Sequence, residues 1–453
     1  MDKNNNNKVY ETVVGMEIHV ELSTTTKMFC RCPVPTLSDK PNTRTCPICL
    51  GLPGALPFTN QKAIESCIQI GLALNCIVNQ DTFFERKNYF YPDLAKGFQT
   101  SQFLHPFSEK GYLDININGK TKRIGITRVH MEEDTGKLNH ATLRQAQGEQ
   151  EVSLIDFNRS GVPLVEIVTE PDIRSGEEAK LFLTELQKII RYLRVSDAAM
   201  EKGHMRLEPN ISLRPVGQKE LAKYKVEVKN INSFIFVDKA IQFEEKRHKE
   251  MLDKGETPVQ ETRGWNEFKN KTVSQRSKEE AHDYRYFPEP DIPPISVTSD
   301  QLSVIRKSIP ELPNEKAARF VSEFELTEYN AEILTREVDL ATYFEEAVKV
   351  GKEHNVDGKT LANWIINKKP NIEELLPASL VKIIVEQSTV ESFDESKLAQ
   401  TLGTILENNP TQVADYKSGK VQLLGFFIGQ TKQALPEAKD TDQIRNMLTK
   451  MLE

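Results

Sequence analysis

The chain has 453 residues, enough for roughly two to four domains with cores of their own. Its 59 Lys and Arg against 66 Asp and Glu give a net charge of −7, which argues against a protein that coats nucleic acid by global charge and leaves local basic patches open. No apolar run approaches the roughly 18 to 20 residues that span a bilayer, and MDKNNNNKVY has neither a secretory nor a transit-peptide pattern, so a cytoplasmic protein without membrane contact is expected.

The first periodic stretch is GMEIHVEL, residues 15 to 22. Met16, Ile18, Val20 and Leu22 alternate with Glu17, His19 and Glu21, the pattern of a half-buried strand. Its polar face is either a solvated sheet surface or one wall of a site; other strands must decide. Next comes FCRCPVPTLSDKPNTRTCPICLGLPG, which spaces Cys30, Cys32, Cys46 and Cys49 as C-x-C-x13-C-x2-C. Two close pairs across a loop suit a closed tetrahedral Zn²⁺ site with a structural role, with disulfides or free thiols as the alternative. Cys67 and Cys76, in QKAIESCIQIGLALNC, read as small core residues beside a helical stripe.

Further strands are expected over Val13–Leu22, Gly111–Ile117, Lys122–His130, Glu151–Asp156, Leu164–Val168, Met205–Leu213 and Lys225–Val228. They do not alternate regularly with helices, so the fold class is α+β with a mainly antiparallel sheet. Ser175 and Glu178 form a capping box before one long helix, and a second runs through SFIFVDKAIQFEEKRHKEMLDKG to Gly255. After the proline-rich YFPEPDIPPI the pattern turns almost wholly helical, with a turn at DYKSGK. The expected division is a body over 1–293, a helical domain over 294–375 and a small helical tail over 376–453.

Several strands carry polar faces rich in acid. MRLEPNISLRP sends Arg206, Glu208, Asn210, Ser212 and Arg214 to one side; PLVEIVTEPD puts Glu166 and Glu170 on one face; RVHMEEDTGK carries Glu132, Glu133 and Asp134; KVEVKNINSF alternates Val226 and Val228 with Lys225, Glu227 and Lys229. Gathered in one sheet, such carboxylates repel unless a cation intervenes. Mg²⁺ or Mn²⁺ with oxygen ligands, beside Arg and Lys meeting phosphate, is one arrangement; ordinary solvated strands are the other. Neither a GxxxxGK[ST] loop nor a GxGxxG motif is present.

Eight ordered blocks then add a resemblance: GMEIHVEL, CPICLGLPGALP, RKNYFYPDLAKGFQTSQF, RVHMEEDTGK, DFNRSGVPLVEIVTEPD, VKNINSF, ETRGW and EEAHDYRYFPEPD. Together they closely resemble the B-subunit family of tRNA-dependent amidotransferases, strongly over the first 293 residues and weakly beyond. The resemblance implies ATP-dependent phosphorylation of the side-chain carboxylate of misacylated Glu-tRNA(Gln) or Asp-tRNA(Asn), followed by amidation with ammonia from a glutaminase partner. It implies two protein partners in a heterotrimer, an amidase (A-type) and a small (C-type) subunit. It also implies mischarged tRNA as substrate, and ATP, Mg²⁺ (or Mn²⁺) and structural Zn²⁺ as cofactors. By the same likeness, Glu17, His19, Glu133 and Glu166 are catalytic groups, and together with the neighbouring Glu132 they are the Mg²⁺-site groups, while Cys30, Cys32, Cys46 and Cys49 hold the Zn²⁺. Arg206, Glu208, Asn210 and Lys229 meet nucleotide or phosphate, Lys87 lines the ammonia route, and the tail domain grips tRNA.

The sequence departs from the family pattern at HMRLEPN, where Ser-Met-Arg-Cys-Asp-Ala-Asn is usual. Glu208 keeps a charge on a longer stem, while Pro209 removes an N–H from the strand. Asn266 replaces a usual acid, and the tail is short, with LPEAKDTDQ in place of the usual Lys-Gly and Asn-Pro. A non-catalytic RNA-binding descendant, or a stand-alone ligase using free ammonia, are the competing readings. The retained acids oppose the first and the helical C-terminal third opposes the second.

Overall fold

A computed structural model describes residues 9–145, 148–277, 283–389, 395–436, 438 and 441–452. The Asn run, residue 278, residues 279–282 of the last quoted block, and 437, 439 and 440 within LPEAKDTDQ lie outside the described residues. The chain divides into two compact units, Met1–Lys316 and Ala317–Glu453.

In the first unit, β1 (Tyr10–Glu21) is followed by α1 (Gln61–Ala73) and the short strands β2 (Ile77–Val78), β3 (Asp81–Thr82), β4 (Glu85–Asn88) and β5 (Phe98–Ser101). Then come β6 (Ser108–Ile117), β7 (Lys120–Glu133), β8 (Lys137–Gln145), β9 (Gly148–Asp156) and β10 (Pro163–Thr169). After α2 (Gly176–Tyr192) the chain returns through β11 (Met205–Pro215), β12 (Val226–Lys229), α3 (Phe234–Asp253), β13 (Glu261–Asn266) and β14 (Lys271–Ser277). The central sheet runs β14-β13-β12-β11-β1-β10-β7-β6-β2. Every pairing in it is antiparallel except β12 with β13, so the α+β class holds with one parallel step.

The sheet is two-faced because β1 is. Val14, Met16, Ile18 and Val20 are buried in the main core with Ile167, Val129 and Leu207 from its neighbours. Helices α1, α2 and α3 cover that apolar side. Phe182, Leu186 and Ile190 supply the α2 stripe, and Val237, Ala240 and Ile241 that of α3. The opposite face therefore carries Glu17, His19 and Glu21 of β1, away from the three helices.

Ser175 Oγ accepts from the Glu178 N–H at 3.1 Å, but Glu178 reaches back to the Arg174 N–H at 2.6 Å and takes Lys122 at 2.6 Å, one residue away from the box pattern. Helix α3 ends where Gly255 adopts φ +80, its N–H bonding Leu252 O at 3.0 Å. Cys67 and Cys76 are buried as core residues.

The proline-rich segment forms only β15 (Phe287–Pro288) and β16 (Ile295–Ser296), pinned to β4 and β3. Helix α4 (Ser299–Ser308) still belongs to the first unit: Ile305 enters its core and Gln69 bonds Ser308 Oγ at 2.8 Å. The compact division thus falls after α4, although the composition changes earlier.

The second unit is helical among its described residues. It comprises the bulk of α5 (Pro313–Phe324), then α6 (Glu328–Leu334), α7 (Val338–Glu353), α8 (Gly358–Lys368), α9 (Pro377–Thr389), α10 (Glu395–Glu407), α11 (Pro410–Lys417), α12 (Leu423–Ala434) and α13 (Thr441–Leu452). Two separate cores form there, one on Phe320, Phe344, Leu361 and Leu380, the other on Leu402, Phe427, Ile444 and Leu448.

Candidate active site and cysteine centre

Antiparallel register brings the polar residues of five strands together. His19 lies opposite Glu166 on β10 and Arg206 on β11; Glu17 lies opposite Glu208; Glu166 lies opposite His130 on β7; Asn210 lies opposite Glu227 on β12. Cross-strand partners share a face, so a single polar surface gathers groups from all of them.

The first cluster is His19, Glu132 and Glu166, whose ligand atoms lie within 4.8 Å of one another. His19 Nε2 stands 3.6 Å from Glu132 and 3.7 Å from Glu166; Glu166 also meets His130 Nε2 at 3.1 Å. Lys87, from β4, reaches Glu132 at 3.1 Å and lies over the Tyr284 ring. Burial works against every one of these charges, and the opposite charges win. Glu166 is held well below the usual carboxylate range by His130, His19 and Lys87, and Glu132 is lowered by Lys87 and His19. Against burial, His19 is raised to about 9 by the nearby carboxylates of Glu132 and Glu166, and Lys87 is raised by the same two acids.

The second cluster is Glu17, Glu208 and Glu227, again within 4.8 Å. Lys229 bridges Glu208 at 2.9 Å and Glu227 at 3.4 Å, and Asn210 Nδ2 donates to Glu17 at 3.3 Å. Glu17 is raised, first by burial and then by Glu166, Glu208 and Glu227, with Lys225 pulling the other way. This is a site short of positive charge. Beside it opens a cavity of about 300 Å³ lined by Gly15, Glu17, Asn210, Lys223, Tyr224 and Lys225.

Both clusters fit a hard divalent cation. The second offers only carboxylate oxygens, and Glu17 lacks a full counter-charge; the first includes buried atoms without a hydrogen-bond partner, His19 Nδ1 and Glu132 Oε2.

Of the expected site residues, Glu17, His19, Glu132, Glu166, Arg206, Glu208, Asn210 and Lys229 share this surface. Glu133 is not brought to either cluster. Adjacent strand residues point to opposite sides, and its carboxylate accepts from the Thr100 N–H at 2.8 Å and pairs with Lys96. Arg206 is held by Asp134 at 2.6 Å. Three participants carry no assignment in the sequence pattern: Glu227, His130 and Asp134. Glu227 was marked by the alternation of KVEV; the other two depend on pairing between distant strands.

The four cysteines converge with Sγ atoms within 4.8 Å of one another, and all are free thiols. The Cys46–Cys49 Sγ separation of 3.8 Å matches the edge of a tetrahedron with metal–sulfur bonds of about 2.3 Å. Cys49 is lowered to about 5, first by its bond with Cys30 and then, against burial, by the Cys46 N–H and Lys27. The donor set fits Zn²⁺.

The sequence model described as GatB/GatE catalytic domain matches residues 12–303, and that described as GatB domain matches 369–452. The chain belongs to the GatB/GatE family. A Persephonella marina protein, named as the B subunit of aspartyl/glutamyl-tRNA(Asn/Gln) amidotransferase, is 44% identical over 484 residues, spanning 98% of this chain and 99% of that protein. Proteins of the same name from Dehalococcoides mccartyi and Brevibacillus brevis are 43% and 42% identical, with the same shares covered.

Pro209, the departure that threatened the site strand of this GatB/GatE chain, is accommodated by register. It lies opposite Met16, whose N–H turns away from β11 to Thr169 Oγ1 at 2.9 Å. The pair is therefore one of the non-hydrogen-bonded steps of the ladder, and the missing N–H would have pointed away from β1. Pairing of β11 with β12 begins only at Asn210. No β1 hydrogen bond is lost.

Proposed function

We propose that this chain is the carboxylate-activating and amidating subunit of a glutamine-dependent tRNA amidotransferase, acting on misacylated Glu-tRNA(Gln), Asp-tRNA(Asn) or both. The observation that carries this reading is the convergence of two carboxylate-rich clusters on one sheet face. The kinship to proteins named as amidotransferase B subunits supports the substrate class.

A carboxylate is a poor acyl donor, and phosphorylation gives it a leaving group. An oxygen of the tRNA-borne side-chain carboxylate attacks the γ-phosphorus of ATP as the bond to the ADP oxygen breaks. Ammonia then attacks the activated carbonyl carbon, loses a proton, and phosphate departs. Glu17, Glu208 and Glu227, with His19, Glu132 and Glu166, would hold Mg²⁺ or Mn²⁺, which when bound neutralises charge on the transferring phosphoryl group. Lys229 and Arg206 face the phosphate oxygens, and the cavity beside Gly15 and Tyr224 accepts the rest of the nucleotide. Lys87 orients Glu132 and borders the path of ammonia. Glu133, apart from both clusters, acts by fixing Lys96 and the Thr100 backbone. Zn²⁺ in the cysteine quartet would tie residues 30–49 to the body without an open coordination position.

In this reading the first compact unit, Met1–Lys316, and not 1–293 alone, forms the catalytic cradle, with 317–375 a helical domain and 376–453 a tRNA-binding tail. An amidase partner of the A type supplies ammonia, and a small partner of the C type completes a heterotrimer. The complex works in the cytoplasm; no described helix is long and apolar enough to cross a membrane. Phosphate release by the assembled enzyme tests the proposal. Glu-tRNA should stimulate it, and Glu17→Gln or Glu166→Gln should reduce amidation by about a hundredfold or more while glutamine hydrolysis by the partner persists. Phosphate release indifferent to Glu-tRNA with every divalent metal would contradict the assignment.

A further inference from the structure

Lys27 is one of the largest fully buried side chains of the protein, with no exposure to solvent. Its Nζ donates to the Arg44 carbonyl at 2.7 Å, lies 3.5 Å from the Phe157 carbonyl, and stands 3.7 Å from Cys49 Sγ. Among the described residues no carboxylate lies within ion-pair distance of it. The neighbouring cations are otherwise engaged: Arg44 pairs with Asp39 and Lys96 with Glu133. The backbone fixes its position too, since the Lys27 N–H bonds Cys32 O at 2.9 Å and the Met28 N–H bonds Gly161 O at 2.7 Å.

An ammonium removed from water without an anion is strongly destabilising, and two carbonyl dipoles offset only part of that cost. Four thiolates around a divalent cation carry two excess negative charges, which are equally costly when Cys30 and Cys49 are buried. Each problem answers the other. We propose that Lys27 is the built-in counter-ion of the cysteine metal centre, holding the thiolate-bound metal in a buried loop by cancelling part of its excess charge. This rests on the reading of the quartet as a zinc site, and it assigns a role to a side chain that ligates nothing. The same ammonium bonds carbonyls of two segments, 44 and 157, so the counter-charge also ties the knuckle to the turn after β9.

The pairing predicts opposite effects with and without metal. In the full-length chain, Lys27→Met, which keeps length and packing, should weaken zinc binding by about tenfold or more in competition with a chromogenic chelator. The ratio to wild type should not change between low and high salt, because a buried pair is little screened. After metal removal the variant should unfold at a denaturant concentration equal to or above that of stripped wild type, since an unpaired buried ammonium has gone.

Equal zinc affinity in Lys27→Met and wild type would overturn the counter-ion role while leaving the zinc site standing. Failure of wild type to bind zinc at all would overturn both. If Lys27→Met does not fold as purified, excess zinc must restore it; misfolding that excess zinc leaves uncorrected would show a purely structural lysine and end the proposal.

Discussion

At the scale of single residues, the protein repeatedly places charges where burial opposes them and then compensates with near neighbours. The acidic face of the central sheet does this with His19, Lys87, Glu132 and Glu166, and the opposite side of the sheet does it with Glu244. That side chain has no exposure; it pairs with Arg247 at 2.6 Å and His248 at 3.0 Å and bonds Thr272. Burial pushes Glu244 up, but His248, Arg247 and Thr272 prevail and bring it from 4.5 to about 2. A carboxylate depressed in the folded state contributes stability that is complete above its unfolded value and disappears as pH falls through the folded one. The shift corresponds to about 3 kcal/mol. Urea unfolding should find Glu244→Gln less stable than wild type by a few kcal/mol at pH 6, with the gap roughly halved by pH 3. A gap that widens on acidification would contradict this account.

Which of these residues the sequence could reveal follows from geometry. Alternation alone put Glu17 and His19 on one face of β1, and Glu208, Asn210 and Lys229 on the matching faces of β11 and β12. The choice between Glu132 and Glu133 was also open to alternation: Val129 and Met131 of β7 enter the core, so Glu133 shares their side while His130 and Glu132 take the polar one. The pairings of Asp134 and His130 were not legible, because their partners Arg206 and Glu166 lie far along the chain.

At the scale of elements, strand and helix signals were the most legible, and ends moved by a few residues where tertiary pairing extended them. The strand read as Lys122–His130 runs Lys120–Glu133 because β6 and β10 both hydrogen-bond it. Helix α3 stops at its glycine because only a residue tolerant of positive φ closes that turn. Pro209 is the informative exception. Read alone it weakens a strand, yet opposite Met16 it forgoes no β1 bond. Pro209→Ala should therefore change stability by less than about 1 kcal/mol and leave nucleotide affinity within about twofold. A large gain in stability on restoring the N–H would mean the ladder is strained there. The division after α4 was not legible in composition, since it depends on Ile305 and Ser308 meeting α1.

At the scale of the whole molecule, a sheet covered on one side by three helices gathers its acidic clusters on the other. The last helices form a core independent of the rest of the second unit, and their described surface carries Lys397, Lys417, Lys420, Lys432, Arg445 and Lys450. A chain ending at residue 389 should raise the KM for Glu-tRNA by about tenfold or more while ATP affinity stays within about twofold, measured in the assembled enzyme. Equal loss of both would contradict a tail that serves tRNA alone.

The central claim is that the acidic sheet face transfers phosphate to the side-chain carboxylate of an aminoacylated tRNA. Glu-tRNA labelled with oxygen-18 in that carboxylate tests it directly, by mass spectrometry of the phosphate released as amide forms. The account predicts one labelled oxygen in each phosphate per amide made, lost together with amidation in Glu17→Gln. Amide formed with unlabelled phosphate would contradict it.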